Sequence, residues 1–172
     1  MDEFDFEGYT CPVPIRPTDK VILGHGSGGT LSRDLLNRLF LPELGKAAPR
    51  ALDDSAVVVM DGQRYAITTD SHVVSPLFFP GGDIGKLAIC GTVNDLAMVG
   101  ATPVALTCGF VLEEGLSFDV LQTVVSSMKE TAREAGVYIA AGDTKVVGKG
   151  GADKLFINTS GIGKIAEGIN IS

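Results

Sequence analysis

Acidic residues recur beside predicted strands and inside a predicted helix, and their chemistry suits a divalent cation. Asp53 and Asp54 precede the β-rich run AVVVM, Asp70 follows QRYAITT, and Asp95 lies within GKLAICGTVNDLAM. Carboxylate oxygens are hard ligands for Mg²⁺, which usually takes one or two carboxylates and keeps water and substrate phosphates as its other ligands. The acids therefore suggest a magnesium site shared with a phosphate-bearing ligand.

A hairpin predicted over residues 56–69 would bring three of these acids together. An Asp-Gly pair between two β-rich runs favours a two-residue type I′ turn. Extended outward, that pairing sets Asp53 opposite Asp70 and Asp54 opposite Thr69, with opposed Cβ atoms about 5 Å apart. Like charges crowded in this way favour a cation between them. The alternative is that Asp53 and Asp54 are loop residues and Asp70 forms a turn, as aspartates at strand ends often do.

The helix predicted to follow begins at an Asp83 cap and ends at Gly100. At about 100° per residue, Asp95 points the same way as Ile84, Ala88, Gly91 and Met98. Other apolar residues cover the far side, so the pattern predicts burial all round.

A buried carboxylate costs several kcal/mol unless it is paired or bound to a cation. For Asp95, the partner is either a structural cation such as Lys86 or Arg64, or a metal in a polar pocket shared with the hairpin acids. Asn94 lies beside it as a neutral donor and acceptor.

The sequence VYIAAG predicts a short buried strand that leads into the loop GDTKVVGKGG. Lys145 can meet a phosphate as a point charge, Thr144 adds a hydroxyl and Asp143 adds a carboxylate. The phosphate-binding pattern G-x-x-x-x-G-K-[ST] is absent from the sequence. The alternative is that Lys145 is an ordinary surface residue of a turn.

A Gly-rich turn, HGSGG, lies between a predicted strand, KVILG, and a predicted helix, TLSRDLLNRLF. Gly24, Gly26 and Gly29 fit the spacing G-x-G-x-x-G of a dinucleotide site. The acid that would bind ribose should follow a second parallel strand, whereas AVVVM turns straight back into a hairpin. We favour a mobile flap whose N–H groups, including those of Gly26 and Gly28, close over phosphate, with dinucleotide binding as the alternative.

Composition narrows the class of protein. The 172 residues carry a formal charge of -7, which disfavours nucleic acid. The three cysteines, Cys11, Cys90 and Cys108, are odd in number and far apart, which suits a reducing compartment. No apolar run is long enough for a membrane span and no signal peptide is present, so we expect a cytoplasmic protein.

The remaining segments complete an α+β fold with a mixed sheet. Residues 1–19 read as a flexible tail and residues 20–172 as one domain. Strands are expected over residues 103–112 and 154–163. The amphipathic helix between them is capped by Ser117, is ended by Gly136 and has an apolar face of Val120, Leu121, Val124, Val125, Met128 and Ala132.

The segments DDSAVV, TTDSHVVSPLFFPGGDIGKLAICGTVNDLAMVGATP, GFVLEEGL and AGDTKVV resemble the N-terminal half of the HypE family of [NiFe]-hydrogenase maturation factors. That family belongs to an ATP-binding superfamily with aminoimidazole ribonucleotide synthetase, selenophosphate synthetase and thiamine monophosphate kinase. The resemblance covers about residues 20 to 163. It implies a sheet with helices on one face that pairs with its twin across a two-fold axis into a β-barrel at the centre of a homodimer.

The resemblance also implies a function and its residues. The family uses ATP to dehydrate a carboxamide on its own C-terminal cysteine to a thiocyanate, for the cyanide ligands of the hydrogenase iron. Its partners are HypC, HypD and HypF, which supplies the carbamoyl group. By this resemblance, Mg²⁺ would be bound by Asp54, Asp70 and Asp95, with Asp53 and Asp143 nearby. ATP would be contacted by Asn94, Thr144 and Lys145.

The chain ends GIGKIAEGINIS, about half the family's length and without its C-terminal cysteine. On this basis we expect a nucleotide-binding, dimer-forming part that lacks the acceptor of the chemistry. The alternative is a non-catalytic module that dimerises and docks maturation partners.

Overall fold

The computed structural model describes residues 20–44 and 53–171. The chain divides into two compact units, Met1–Arg50 and Ala51–Ser172. The tail predicted over residues 1–19, and Cys11 with it, lies outside the described residues.

The described part of the N-terminal unit is helical. It contains a 3-10 turn (Leu23–Gly26), helix α1 (Thr30–Leu35), a π-helical stretch (Leu36–Phe40) and helix α2 (Leu41–Leu44). The helix predicted for TLSRDLLNRLF is confirmed, but the strand predicted for KVILG is wrong. The hydrogen bonds of this segment are local, since His25 N donates to Ile22 O at 2.9 Å, and the described residues of this unit offer no strand to pair with.

The second unit is a mixed five-stranded sheet with two long helices. Its elements are β1 (Ala56–Met60), β2 (Gln63–His72), β3 (Phe78–Phe79), β4 (Gly82–Asp83), α3 (Ile84–Met98), β5 (Ala101–Glu113), α4 (Phe118–Glu134), β6 (Tyr138–Val147) and β7 (Leu155–Ile165). The sheet has the order β1-β2-β7-β5-β6, and β3 and β4 form a separate small hairpin. Only the β5–β6 pair is parallel among the described pairs, with α4 as the crossover. The predicted α+β class with a mixed sheet is confirmed.

The β1–β2 hairpin has the predicted turn and register. Asp61 and Gly62 have φ angles of 50° and 77°, as a type I′ turn requires, and Met60 pairs with Gln63. The ladder ends at Ala56, which pairs with Ile67. The extension that would set Asp53 and Asp54 opposite β2 residues is therefore wrong.

Helix α3 begins as predicted, because the Asp83 carboxylate accepts hydrogen bonds from Gly85 N and Lys86 N at 2.7 and 3.1 Å. Its buried side faces the sheet and α4, but the helix is not buried all round. Met98 is 60 % exposed and Leu87 39 % exposed. No helix in the described ranges is long and apolar enough to cross a membrane.

Helix α4 is capped by Ser117 and is followed by Gly136 at φ 68°, as predicted. Val124, Met128, Thr131 and Ala132 are buried, whereas Val125, expected on the apolar face, is 45 % exposed. The face that α4 buries against the core is therefore narrower than the apolar face predicted from its sequence. The core itself consists of residues from both helices and from β5 and β7: Ile84, Ala88, Ile89, Leu106, Val124, Met128, Leu155 and Ile157.

Strand β6 differs from the prediction in two ways. The strand continues through Asp143, Thr144 and Lys145 to Val147, where a loop was expected. Its residues are exposed rather than buried, apart from the half-buried Val147. The reason is its place at the edge of the sheet, where β5 is long enough to pair with it throughout.

The carboxylate of Glu113 fastens the loop between β6 and β7. It accepts hydrogen bonds from Gly150 N at 2.5 Å and from Lys154 N at 2.9 Å. These two backbone donors lower the pKa of Glu113 below its ordinary value. A lowered carboxyl pKa means that the ionised form stabilises the fold above the ordinary pKa of about 4.3, and that this stabilisation is lost as the pH falls through the lowered value.

We therefore expect Glu113→Gln to lower the melting temperature at pH 7, and this effect to shrink below the ordinary pKa of about 4.3 and to vanish once the pH has fallen through the lowered pKa of Glu113. Amide exchange at Gly150 and Lys154 should speed up at neutral pH. Glu114→Gln, which removes the same charge from the next residue, is the control. Equal melting temperatures for the Glu113 variant and the wild type at pH 7 would contradict the assigned clamp.

Candidate functional site

Three polar residues of β2 lie on the face of the sheet that α3 covers. Thr68 and His72 are buried, and the Asp70 side chain between them is 40 % exposed. Thr69 and Ser71 are exposed on the other face. Side chains two apart on a strand share a face, so β2 presents Thr68, Asp70 and His72 in a row towards the helix.

Asp95 meets this row from α3. Thr68 Oγ1 donates to Asp95 Oδ2 at 2.9 Å, and Asp95 is partly exposed. Neither structural cation suggested for it is used: Lys86 Nζ donates to Gly81 O, and an Arg64 guanidinium nitrogen donates to Ile169 O. The second alternative, a polar pocket shared with the hairpin acids, fits the geometry.

The segment before β1 is drawn towards α3, which explains why the hairpin ladder stops short. Ser55 Oγ donates to Asp95 O at 2.8 Å, and Thr68 Oγ1 lies 2.9 Å from Asp54 O. Asp53 and Asp54 are exposed loop residues ahead of the strand. They remain at the same end of the hairpin as Asp70, although the cross-strand pairs are not formed.

The charges of Asp54 and Asp70 act on the carboxyl group of Asp95. Burial raises the pKa of Asp95 above its ordinary value, and the hydrogen bond from Thr68 opposes that change. The negative charges of Asp70 and Asp54 raise the Asp95 pKa further, whereas His72 lowers it. A site that destabilises its own carboxylate charge is one that a cation would stabilise.

The donor chemistry of this cluster fits Mg²⁺ as part of a metal–phosphate complex. Among the residues that the structure describes, no three acidic, histidine or cysteine side chains converge as a metal cage. Mg²⁺ does not need such a cage, because it usually binds through one or two carboxylates together with substrate phosphates and water. Asp54, Asp70 and Asp95 supply hard oxygens of that kind, while Asp53 stands next to them in sequence.

Behind the acids lies a buried polar network that joins β2, α3 and β7. Thr159 Oγ1 is 2.5 Å from Thr92 Oγ1, 3.3 Å from His72 Nε2 and 3.2 Å from Ala88 O. His72 Nε2 also lies 3.5 Å from Asp70 Oδ2. Burial lowers the pKa of His72, and the charges of Asp70 and Asp95 oppose this, so the ring is neutral at pH 7.

The GDTK residues lie across the sheet from these acids. The pairs Asp70–Thr159, Thr159–Cys108 and Cys108–Gly142 form one row over four strands, or about 14 Å. Asp143, one residue beyond the end of the row, pairs its carboxylate with Lys145 Nζ at 2.5 Å. Lys145 and a backbone N–H lower the pKa of Asp143. Within one chain, the structure does not bring Asp143, Thr144 or Lys145 to the hairpin acids.

The Gly-rich segment belongs to the N-terminal unit. The 3-10 turn at Leu23–Gly26 replaces the strand that a dinucleotide fingerprint needs before its glycines. A Cβ at Gly26 or Gly28 would meet nothing within 4 Å, so both backbones are open to a ligand. Two other residues considered from the sequence lie elsewhere. Asn94 is exposed beside Asp95 on α3. Cys108 is buried, and burial raises the pKa of its thiol to about 11, which makes the thiol unreactive.

Sequence reasoning missed the neutral residues that hold the acids. The sequence predicts no role for four of them, Ser55, Thr68, Thr159 and Gly91. It also predicts no role for His72. One usable signal was the alternation of Thr68, Asp70 and His72, which places three polar side chains on the same face of a strand. The backbone of Gly91 lies close to both His72 and Asp70. A Cβ at this position would be 2.9 Å from His72 Cε1 and 3.0 Å from Asp70 Oδ2.

Comparison with known proteins places the chain among relatives of about twice its length. Carbamoyl dehydratase HypE of Escherichia coli (strain K12) is 54 % identical over 157 residues, which cover 88 % of this chain and 47 % of that protein. The chain therefore spans about half the length of this curated relative.

Solved structures agree with this likeness. The crystal structure of a HypE–HypF complex matches with a TM-score of 0.73 at 54 % identity, over 79 % of this chain and 44 % of the other. The structure of hydrogenase maturation protein HypE in complex with ATP matches with a TM-score of 0.60 at 53 % identity, over 86 % of this chain and 44 % of the other.

A protein-family model matches the second unit of the chain. The model for the N-terminal domain of AIR synthase related proteins matches residues 52–165, from just before the acidic loop to the end of β7. By this match the chain belongs to the AIR synthase related protein family and carries its N-terminal domain.

Proposed function

We propose that this chain is the MgATP-binding part of a hydrogenase maturation protein of the HypE kind. The observation that carries the proposal is that the charges of Asp54 and Asp70 raise the pKa of Asp95, whose carboxylate is held by Thr68, two residues before Asp70 on the same face of β2. The structure of a relative named as HypE in complex with ATP supports the choice of nucleotide. We assign the function to a domain over residues 20–172.

In this proposal, the acids hold the metal and neighbouring groups hold the nucleotide. Asp54, Asp70 and Asp95 bind Mg²⁺, with Asp53 as a further oxygen donor. Bound Mg²⁺ supplies charge neutralisation to the transferring phosphate. Thr68 orients Asp95 by its hydrogen bond, and Ser55 holds the backbone of the same residue.

The assigned nucleotide contacts are spread over three places in the fold. Asn94 adjoins Asp95 on α3, the GDTK residues Asp143, Thr144 and Lys145 lie on β6, and Gly26 and Gly28 lie in the N-terminal unit. Lys145 can approach a phosphate as a point charge, once it leaves Asp143. The two glycines offer open backbone N–H groups to the phosphates.

The reaction proposed for the whole protein is the ATP-dependent dehydration of a carbamoylated cysteine to a thiocyanate. The name carbamoyl dehydratase, which several curated relatives carry, supports this choice. A relative's complex with HypF supports HypF as a partner, and we extend the proposal to HypC and HypD.

We also propose a homodimer formed through the face of the sheet opposite α3 and α4. Apolar side chains of β1, β2 and β5 are exposed there, namely Met60, Ile67 and Val104. Two such faces, packed together, would bury these side chains and close the sheets into a barrel. A second copy would also bring a second set of GDTK residues into the assembly.

Titration calorimetry with ATP tests the nucleotide site. We expect saturable binding in excess Mg²⁺ and at least tenfold weaker binding in EDTA, because the acids repel a bare triphosphate. NAD⁺ should bind in neither buffer, which separates this proposal from the dinucleotide alternative. ATP binding of equal strength with and without Mg²⁺ would refute the proposed site. If the protein instead captures purified HypC or HypD without metal and has no affinity for nucleotide, the non-catalytic docking module would be favoured.

A further inference from the structure

A buried histidine stands directly behind one of the proposed metal ligands. His72 is 5 % exposed, and its Nε2 lies between Thr159 Oγ1 at 3.3 Å and Asp70 Oδ2 at 3.5 Å. The ring cannot reach a substrate from this position. It can act on the site only through Asp70.

The hydrogen bonds of Thr159 identify the tautomer of this ring. A threonine hydroxyl has one hydrogen to donate and two lone pairs with which to accept. Ala88 O can only accept, so Thr159 donates to it. Thr159 Oγ1 must then accept from Thr92 Oγ1 and from His72 Nε2, which places the ring proton on Nε2.

The same nitrogen also lies near the carboxylate of Asp70. At 3.5 Å, the Nε2 to Oδ2 distance is longer than a formed hydrogen bond, so the N–H attracts the carboxylate without binding it tightly. The backbone of the same aspartate is held independently, because Asn158 Nδ2 donates to Asp70 O at 2.9 Å. The N–H of His72 therefore acts on the direction of the carboxylate rather than on the path of the strand.

Helix α3 keeps this pair in place from the other side. A Cβ at Gly91 would come within 2.9 Å of His72 Cε1 and 3.0 Å of Asp70 Oδ2. Only the absence of a side chain at Gly91 lets the helix pack this close. The ring and the carboxylate are thus confined between a threonine network and a helix backbone.

We propose that His72 is a positioning residue that orients Asp70 for the metal–nucleotide complex through its Nε2–H. This inference rests on the proposed function, since it assigns Asp70 to Mg²⁺. Groups that orient metal-binding carboxylates commonly change metal affinity by about 10- to 100-fold when they are altered.

A pair of variants separates the N–H from the bulk of the ring. His72→Phe keeps a ring but removes the donor, and His72→Gln keeps a side-chain N–H of similar reach. By calorimetry, we expect His72→Phe to weaken ATP binding in Mg²⁺ by about tenfold and His72→Gln to stay within about threefold of wild type. In EDTA, both variants should bind ATP as the wild type does.

A double-variant cycle tests whether His72 acts through Asp70. In an Asp70→Asn background, His72→Phe should cause no further loss of affinity, because the carboxylate it orients is gone. If His72→Phe unfolds, His72→Asn serves in its place, since its shorter amide cannot reach Asp70 and it should show the same loss.

The outcomes distinguish this inference from the proposed function. Wild-type binding that does not depend on Mg²⁺ overturns both. Mg²⁺-dependent wild-type binding with an unaffected His72→Phe, or equal losses with and without Asp70, overturns only the role of His72.

Discussion

Asp95→Asn is expected to weaken MgATP binding by at least tenfold, which corresponds to about 1.4 kcal/mol. A neutral amide is a poor ligand for Mg²⁺, which prefers charged oxygen donors. The change keeps the size of the side chain, and its oxygen can still accept the hydrogen bond from Thr68. The loss should therefore appear in Mg²⁺ and be absent in EDTA when both are measured by titration calorimetry.

The same substitution should raise the stability of the ligand-free protein or leave it unchanged. Burial and two neighbouring acids raise the pKa of Asp95. A raised carboxyl pKa means that the ionised form costs stability at neutral pH, and this cost ends when the group becomes neutral. Weaker MgATP binding combined with an equal or higher melting temperature is a signature that misfolding cannot produce.

Asp61→Asn is the matched control for this prediction. It makes the same chemical change in the β1–β2 turn, where asparagine before glycine is equally suited to a type I′ turn. We expect its MgATP affinity to equal that of the wild type. If Asp95→Asn binds as tightly as Asp61→Asn, the acids of α3 and β2 do not share a metal.

The features that could be predicted from sequence are those fixed by neighbours in the chain. Asp61-Gly62 set both the turn and the register of the hairpin, and Asp83 capped α3 through the amides two and three residues ahead. Such contacts are complete within a few residues, so their chemistry can be read directly from the letters.

The features that could not be predicted depend on partners distant in sequence. Alternation gives the two faces of a strand but not its place in the sheet, so β6 was expected to be buried although it lies at an edge. The hairpin ladder stopped early because Ser55 donates to Asp95 O, forty residues away. The His72–Thr159 contact spans a longer gap, 87 residues, between β2 and β7.

The candidate site shows the same division. Acid chemistry groups Asp53, Asp54, Asp70 and Asp95, and the effect of the Asp54 and Asp70 charges on Asp95 fits that grouping. The assignment of GDTK to the same site is not met within one chain, because the sheet order inserts β7 and β5 between β2 and β6. Whether those residues contact ATP stays a prediction for the assembled protein.

Gly85→Ala should have the largest effect on stability of the changes considered, because α3 and α4 touch at this glycine. A Cβ there would lie 2.5 Å from Val124 O, 2.8 Å from Met128 Cγ and 2.9 Å from Asp83 Oδ1. Overpacking costs about 1–3 kcal/mol, and damage to the Asp83 cap adds about 1 kcal/mol. Alanine's better helix propensity returns about 1 kcal/mol, so the net loss is about 2 kcal/mol.

That loss predicts a fall in melting temperature of roughly 4–8 °C, measured by circular dichroism without ligand. Because the closest contact is a backbone carbonyl, it cannot be relieved by a side-chain rotation, and the helices must move apart. Gly148→Ala is the matched control, since a Cβ there meets nothing within 4 Å and no left-handed φ is involved. A melting temperature for Gly85→Ala within a degree of this control would show that the α3–α4 contact is looser than the structure indicates.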